Sequence, residues 1–353
     1  MDTAAAKAAI AVHCARYPLL QPTDLLKFLH QSVFGCGHLI TDPAVAADWL
    51  AREMDRCADG GEIEPLDGSF CRVPLGYLKA LGVSPVSFAA LFALSARKEG
   101  GTVQDLELRL AAALDMTRDG LLPFSCEALS AAIEGWRTAG FPAQHHSEDF
   151  RAAYAPAYRV LHQGHAALLP LMGRIDRLLS QKGRAVVAIE GRAGSGKSTL
   201  ASLLQSLYGC TVLHMDDFFL RPEQRTAERY AAPGGNIDHE RFAAEALPGL
   251  QAGRTFRYRP FDCATFTVDE GTDITPAPLT VVEGSYSLHP ALGEYHDCAV
   301  FLTVEPAEQR RRIKARNPAF AERFFDTWIP LEEAYFAAFH PEQRCDFTME
   351  VGL

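Results

Sequence analysis

The segment Gly191-Arg192-Ala193-Gly194-Ser195-Gly196-Lys197-Ser198-Thr199 constrains this chain more than any other. It matches G-x-x-x-x-G-K-[ST] in full and follows an apolar run, residues 185–190, that reads as a buried strand. Glycine lets the backbone turn tightly, so that successive N–H groups point inward at phosphate oxygens. A helix starting near Lys197 adds the positive end of its dipole. Lys197 would bring a point charge to the β/γ-phosphates and Ser198 a hydroxyl ligand for Mg²⁺. Gly191, Gly194, Ser195, Gly196, Lys197, Ser198 and Thr199 are therefore the candidate nucleotide-phosphate site.

The residues after the loop fit an α/β unit. Further apolar runs at 211–215, 279–282 and 298–304 read as buried strands, and helical stretches at 197–207, 241–250 and 307–316 separate them. Strands alternating with helices imply a parallel sheet with both faces covered and ligands beyond the strands' carboxyl ends. Residues 1–181 read differently. They are rich in Ala and Leu at helical spacing, with Leu25, Leu26, Phe28 and Leu29 after Thr23-Asp24, and Leu106, Leu108, Leu110 and Leu114 after Thr102. The expectation is an all-α N-terminal domain, 1–181, whose last helix covers 158–181, followed by an α/β domain bearing the phosphate loop, 182–353.

Composition narrows the class. The 353 residues suit two domains, and 34 basic against 44 acidic residues, net charge −10, argue against a whole-chain nucleic-acid binder. No apolar run approaches the length of a transmembrane helix, so no membrane partner is expected. The Ala-rich start carries Asp2 and Lys7 and reads as a first helix rather than a signal peptide. Nine cysteines without a CxxC pair suit reduced thiols in a cytoplasmic protein.

The other polar clusters fall at expected strand ends. Asp216 and Asp217 follow the second strand, where adjacent carboxylates facing a phosphate loop suit Mg²⁺ coordination or proton removal from an acceptor hydroxyl. Glu283, then Gly284, ends the third strand as a carboxylate for Mg²⁺ or its water. Residues 305–316 carry Arg310, Arg311, Arg312, Lys314 and Arg316, with Arg312 and Arg316 one helical turn apart. Such a pair could reach the transferred phosphoryl group as a lid would.

Together these motifs resemble the uridine kinase/phosphoribulokinase branch of the P-loop kinases, over about residues 184–350. Asp216-Asp217-Phe218-Phe219 resembles the D-x-F-Y segment of uridine kinases, and Asn236-Ile237-Asp238-His239-Glu240-Arg241-Phe242 their N-F-D-H-P-x-x-F. The resemblance implies that Asp216 is the base activating the acceptor hydroxyl and that Asp238 grips sugar hydroxyls, with His239, Phe219 and Phe261 alongside. It departs where uridine kinases have P-x-Y-D-F-x-x-H-S-R. The base-contacting His and the Arg are replaced by Phe266 and Val268, which removes the polar readout of a pyrimidine. The C-terminal half also looks like a group of bacterial uridine kinase-like proteins that carry a helical N-terminal extension.

The reading is an ATP- and Mg²⁺-dependent small-molecule kinase whose acceptor is a nucleoside or related polyol. Mg²⁺ would be held by Ser198 and by Glu283 or Asp217, with catalysis by Asp216, Lys197, Arg312 and Arg316. The alternative is a nucleotide-dependent switch regulating the helical domain. Homo-oligomerisation is left open. In the helical half, Gly35-Cys36-Gly37-His38 reads as a turn bearing a histidine, and His145-His146 and His162/His165 have no third metal ligand at matching spacing.

Overall fold

A computed structural model describes residues 3–36, 43–98, 100–262 and 265–350; Gly37 and His38 lie outside them. The chain divides into two compact units, Met1–Gly173 and Arg174–Leu353.

The first unit is mainly helical, and its helices begin where the sequence supplies caps. Thr102 precedes the helix Val103–Arg118, its hydroxyl accepting from the Asp105 N–H while Asp105 accepts from the Thr102 N–H at 2.8 Å. The helix Pro22–Phe34 is closed at its start by Asp24, which accepts from the Gln21 N–H at 2.9 Å. The expectation of helices alone needs one correction, because this unit also holds a small antiparallel sheet. Its strands are β1 (Glu64–Pro65), β2 (Phe70–Pro74) and β3 (Tyr158–His162), with β2 in the middle. β3 takes the start of the expected helix 158–181, and the long helix there is Leu169–Lys182. Pairing with β2 decides this: Val160 lies opposite Arg72 and Leu161 opposite Cys71, so both β3 residues are buried by a partner distant in sequence.

The second unit is an α/β fold around a five-stranded parallel sheet. The strands are β4 (Ala185–Gly191), β5 (Thr211–His214), β10 (Leu279–Glu283), β11 (Cys298–Thr303) and β12 (Phe347–Glu350), in the order β12-β11-β4-β10-β5. Two small antiparallel pairs lie between β5 and β10 in the chain: β6 (Phe256–Tyr258) with β9 (Thr272–Ile274), and β7 (Phe261–Asp262) with β8 (Thr267–Val268). The four expected strands are present, and β12 is an addition. Helices α1 (Lys197–Tyr208), α2 (His239–Glu245), α3 (Pro306–Arg316) and α4 (Ile329–Phe339) carry the side chains that matter for the site. The stretch expected as one helix, 241–250, is two, α2 and Leu247–Ala252, with Pro248 in the first turn of the second. β4 is central, with β10 on one side and β11 on the other. The chain leaves β4 toward β5 on one side and leaves its neighbour β11 toward β12 on the other, and such sheets open a crevice at the carboxyl ends where neighbouring connections diverge.

Candidate active site

The phosphate loop springs from that carboxyl end. Gly191 closes β4 at φ 144°, and a Cβ there would lie 2.2 Å from the Leu302 carbonyl oxygen of β11, so only glycine lets the strand pass into the loop. Gly196, at φ 100°, is the residue before α1. Lys197 folds back over the loop: its Nζ donates to the carbonyls of Gly191 (2.7 Å) and Arg192 (3.0 Å) and to Ser285 Oγ (3.1 Å). Ser195 is fully buried, and its hydroxyl has no hydrogen-bond partner among the described residues.

Two strand ends deliver acids to the same place. β10 ends in Glu283, buried, whose Oε1 accepts from Ser198 Oγ at 3.0 Å and lies 2.6 Å from His214 Nδ1 at the end of β5. The carboxylate holds the His214 imidazole above its usual pKa. The pairing of β10 with β5 sets Glu283 opposite His214, which is why residues 69 positions apart meet. Asp216 and Asp217 lie on a single 3₁₀ turn, Met215–Phe218, directly after β5. Solvent reaches the Asp216 side chain from the crevice, yet protein surrounds it closely. That surrounding raises its carboxyl pKa, Lys197 pulls it down, and Glu283 and Asp217 push it up again, leaving it above the ordinary range. Asp217 faces elsewhere: its Oδ2 accepts from the Tyr258 hydroxyl at 2.7 Å. Ser198 and Glu283 are thus brought together as hard oxygen donors, and Asp217 is not joined to them by any hydrogen bond among the described residues.

Three further carboxylates belong to this neighbourhood and were not singled out from the sequence. Glu332 of α4 is buried, accepts from the Ala193 N–H of the loop at 2.9 Å and from Ser285 Oγ, and is pushed up in pKa by burial. Its neighbour Glu333 takes both arms of the Arg192 guanidinium, at 2.8 and 3.1 Å. The only hint in sequence was a Glu-Glu pair inside the otherwise apolar run Ile329-Pro330-Leu331-Glu332-Glu333-Ala334-Tyr335-Phe336. Glu190, the residue before the loop, is wholly buried and accepts from the N–H groups of Gly191, Tyr286 and Leu288 and from the Tyr335 hydroxyl. Burial pushes its carboxyl up to about 7. It ties the loop's base to the segment after β10.

Of the two arginines expected on α3, one meets the loop. Arg312 Nη1 donates to the Gly194 carbonyl at 3.3 Å while its Nε is held by Glu308 at 2.8 Å. Arg316 lies exposed in the last turn of α3, without a hydrogen bond or ion pair among the described residues.

The residues expected on the acceptor side divide in the same way. Asp238 is 1% exposed and caps α2, its oxygens accepting from Arg241 N (3.1 Å) and Arg241 Nε (3.3 Å), with Arg221 Nε 3.8 Å away. His239 stacks on His289, ring centres 4.5 Å apart. Phe219 meets Phe261 edge-on at 6.5 Å, and Phe261 meets Phe266 at 6.2 Å, with the Arg225 guanidinium over both Phe261 and Phe266. Phe219, Phe261 and Phe266 thus form one aromatic group, apart from the His239–His289 stack. No helix among the described residues is long and apolar enough to cross a membrane.

No family model matches this chain, and no curated protein does. Among solved structures it is similar to a protein described as a possible uridine kinase from Bacillus stearothermophilus, at 22% identity over 51% of this chain and 98% of that one, with TM-score 0.38. It is also similar to a protein described as a fructose transport system kinase from Silicibacter sp. TM1040, at 26% identity over 52% of this chain and 97% of that one, with TM-score 0.43. Both likenesses take in about half of the chain.

Proposed function

We propose that the unit Arg174–Leu353 is an ATP-dependent kinase that transfers the γ-phosphoryl group to a hydroxyl of a nucleoside or related polyol. One observation carries this reading. Asp216, on the turn directly after β5, lies in the field of Lys197 at the crevice where β4, β5 and β10 end. A phosphate loop alone serves any nucleotide-binding protein; a carboxylate poised to take a proton beside it serves transfer to a hydroxyl.

The parts divide the work as follows. The loop N–H groups from Gly194 to Thr199 and the Lys197 ammonium cradle the phosphates, once Lys197 leaves the carbonyls it now caps. The Ser198 hydroxyl and Glu283 carboxylate, 3.0 Å apart, suit Mg²⁺, which takes one or two protein oxygens together with phosphate oxygens. Bound there, the ion would neutralise phosphate charge. Asp216 accepts the acceptor's proton. Arg312, already against Gly194, neutralises charge on the moving group, and Arg316 reaches it only if α3 closes. Asp238 acts through Arg241 and Arg221, which it holds at the acceptor side, and Phe219 and Phe261 offer faces for the acceptor's body. With Phe266 and Arg225 in place of a polar readout, a base would be gripped by stacking, so the acceptor class stays broader than uridine.

The second reading, a nucleotide-dependent switch, has one observation in its favour: Glu332 and Lys197 both close on the loop, so phosphate must displace contacts of α4. The test is ATP consumption by the full chain against a panel of nucleosides, sugars and polyols, with products identified by mass and Lys197→Ala as control. One acceptor that gains a phosphoryl group with wild type, and not with Lys197→Ala, supports the kinase. Acceptor-independent hydrolysis, or binding without turnover across the panel, favours the switch.

A further inference from the structure

The first unit contains a cavity of about 490 Å³ that the kinase reading leaves without a role. That volume is in the range of small-ligand sites, about 300–1,000 Å³. Its walls are mixed. Leu50, Phe92 and Val160 are buried apolar side chains, and Trp49, 60% exposed, stands at its edge.

The polar groups facing it are held by a network behind them. Asp24, with no exposed side chain, accepts from Gln21 N, Ser147 N, Ser147 Oγ and His146 Nδ1 at 2.6–2.9 Å. Burial raises its pKa, but these donors override that and bring it down to about 2, so it is an anion with its lone pairs engaged. It fixes the proton of His146 on Nδ1, which leaves Nε2 to accept the Tyr158 hydroxyl at 2.7 Å. Gln31 Oε1 accepts from Arg72 Nε at 2.9 Å and lies 3.3 Å from the Tyr158 hydroxyl, which leaves its amide nitrogen as a donor. The Arg72 guanidinium stacks on the Tyr158 ring, 4.7 Å from its centre. Tyr158 and Gln31 are therefore locked, as a binding group should be.

Charge decides what the cavity takes. Arg159 is matched by Glu53 at 2.9 Å, and Arg72 by Glu64 at 3.4 Å. Lys27 makes one hydrogen bond, to the Gln144 carbonyl at 2.7 Å, and no ion pair among the described residues. Burial and the Arg72 charge lower its pKa to about 8 despite Asp24, so its charged form is under-compensated where it sits. An anion in the cavity would supply the missing partner and meet the two remaining Lys27 donors and the Gln31 amide.

We infer that the cavity walled by Lys27, Gln31, Trp49, Glu53, Tyr158 and Arg159 binds a small organic anion, a carboxylate or phosphate ester carried on a planar or apolar body. The anionic group lies on Lys27 and Gln31, and the body lies along Leu50, Phe92 and Trp49. This site is separate in sequence and in chemistry from the phosphate loop.

The test is isothermal titration of the full chain with benzoate, phenyl phosphate and uncharged benzamide. The expected result is saturable one-site binding of at least one of the two anions, and of benzamide at least tenfold more weakly. Benzoate against phenyl phosphate decides which anionic group is preferred. Lys27→Gln should weaken the anion at least tenfold, and Lys27→Arg should keep most of the affinity. Should Lys27→Gln not fold, Ala46→Trp, which fills the cavity from its rim, should abolish binding. Lys197→Ala should leave it unchanged. The inference is overturned by absence of binding of either anion, by full affinity in Lys27→Gln or Ala46→Trp, or by loss of binding in Lys197→Ala, which would place the anion on the phosphate loop.

Discussion

Replacing Asp216 by Asn separates nucleotide binding from transfer. The substitution keeps the size and one oxygen of the side chain and removes its capacity to take a proton. General-base catalysis is worth about 10²–10⁴-fold, so transfer should fall by that factor, about 2.7–5.5 kcal/mol in the barrier. Nucleotide affinity should hold or rise slightly. Asp216 is one of three acids in the field of Lys197, with Glu190 and Glu332, so its removal relieves repulsion of the phosphates and costs no hydrogen bond to the loop among the described residues. The pH profile supplies an independent readout. The closely surrounding protein, Glu283 and Asp217 raise the Asp216 pKa, with Lys197 and His214 offsetting only part. The wild-type rate should therefore fall on acidification at a higher pH than an ordinary aspartate would give, and the variant should lack that limb. Single-turnover transfer from ATP, with the phosphorylated acceptor measured by mass from pH 4 to pH 8, reads both. Full transfer in Asp216→Asn, or an acid limb that persists at the same pH, would refute the assignment and point to Glu332, another acid of raised pKa in the field of Lys197.

Four further outcomes are expected. Glu332→Gln removes a carboxylate from the Ala193 N–H and should tighten ATP binding about fivefold, roughly 1 kcal/mol of relieved repulsion; weaker binding by calorimetry would count against a gating contact. Gly191→Ala puts a methyl 2.2 Å from the Leu302 carbonyl at φ 144°, and should destabilise the second unit by more than about 3 kcal/mol in urea; an unchanged midpoint would contradict it. Thr102→Ala removes an N-cap from Val103–Arg118 and should lower the stability of the first unit by about 1 kcal/mol, read from the shift of its urea midpoint. The first unit should also weaken in acid. Asp24 has a folded pKa of about 2, below its unfolded value, so its stabilisation, up to about 2 kcal/mol, is complete above pH 4 and lost as pH falls through 2. His13, buried and lowered to about 4, is neutral in the fold and costs stability once pH drops below about 6.5, where the unfolded imidazole gains its proton. Thermal unfolding at pH 7, 5 and 3 should fall in that order.

Much of the second unit was legible because its information is local. The strands β4, β5, β10 and β11 are apolar runs too short for helices, and the loop's chemistry resides in contiguous backbone. β12 was missed because Phe347-Thr348-Met349-Glu350 alternates in burial at a sheet edge and has no run of apolar residues to mark it. β3 was missed for the opposite reason. Tyr158-Arg159-Val160-Leu161-His162 flows into a helix-like stretch, and only pairing with β2 selects the extended form. In the site, Asp238 shows how identity and placement differ: the family resemblance implied a carboxylate open to sugar hydroxyls, whereas the cap of α2 and the Arg241 pair turn it inward.

The sequence by itself determined the phosphate loop, its strand and helix, and the acids at the next strand ends, because each rests on residues adjacent in the chain. Only the tertiary structure decided which side chains meet. Glu332 reaches Ala193 across 139 positions, Glu283 meets His214 across 69, and Asp24 fixes His146 across 122. Such contacts depend on strand order, register and helix docking, and burial then sets the charge each group carries. No local pattern encodes that, since the same Glu on an exposed helix face would be an ordinary solvated acid.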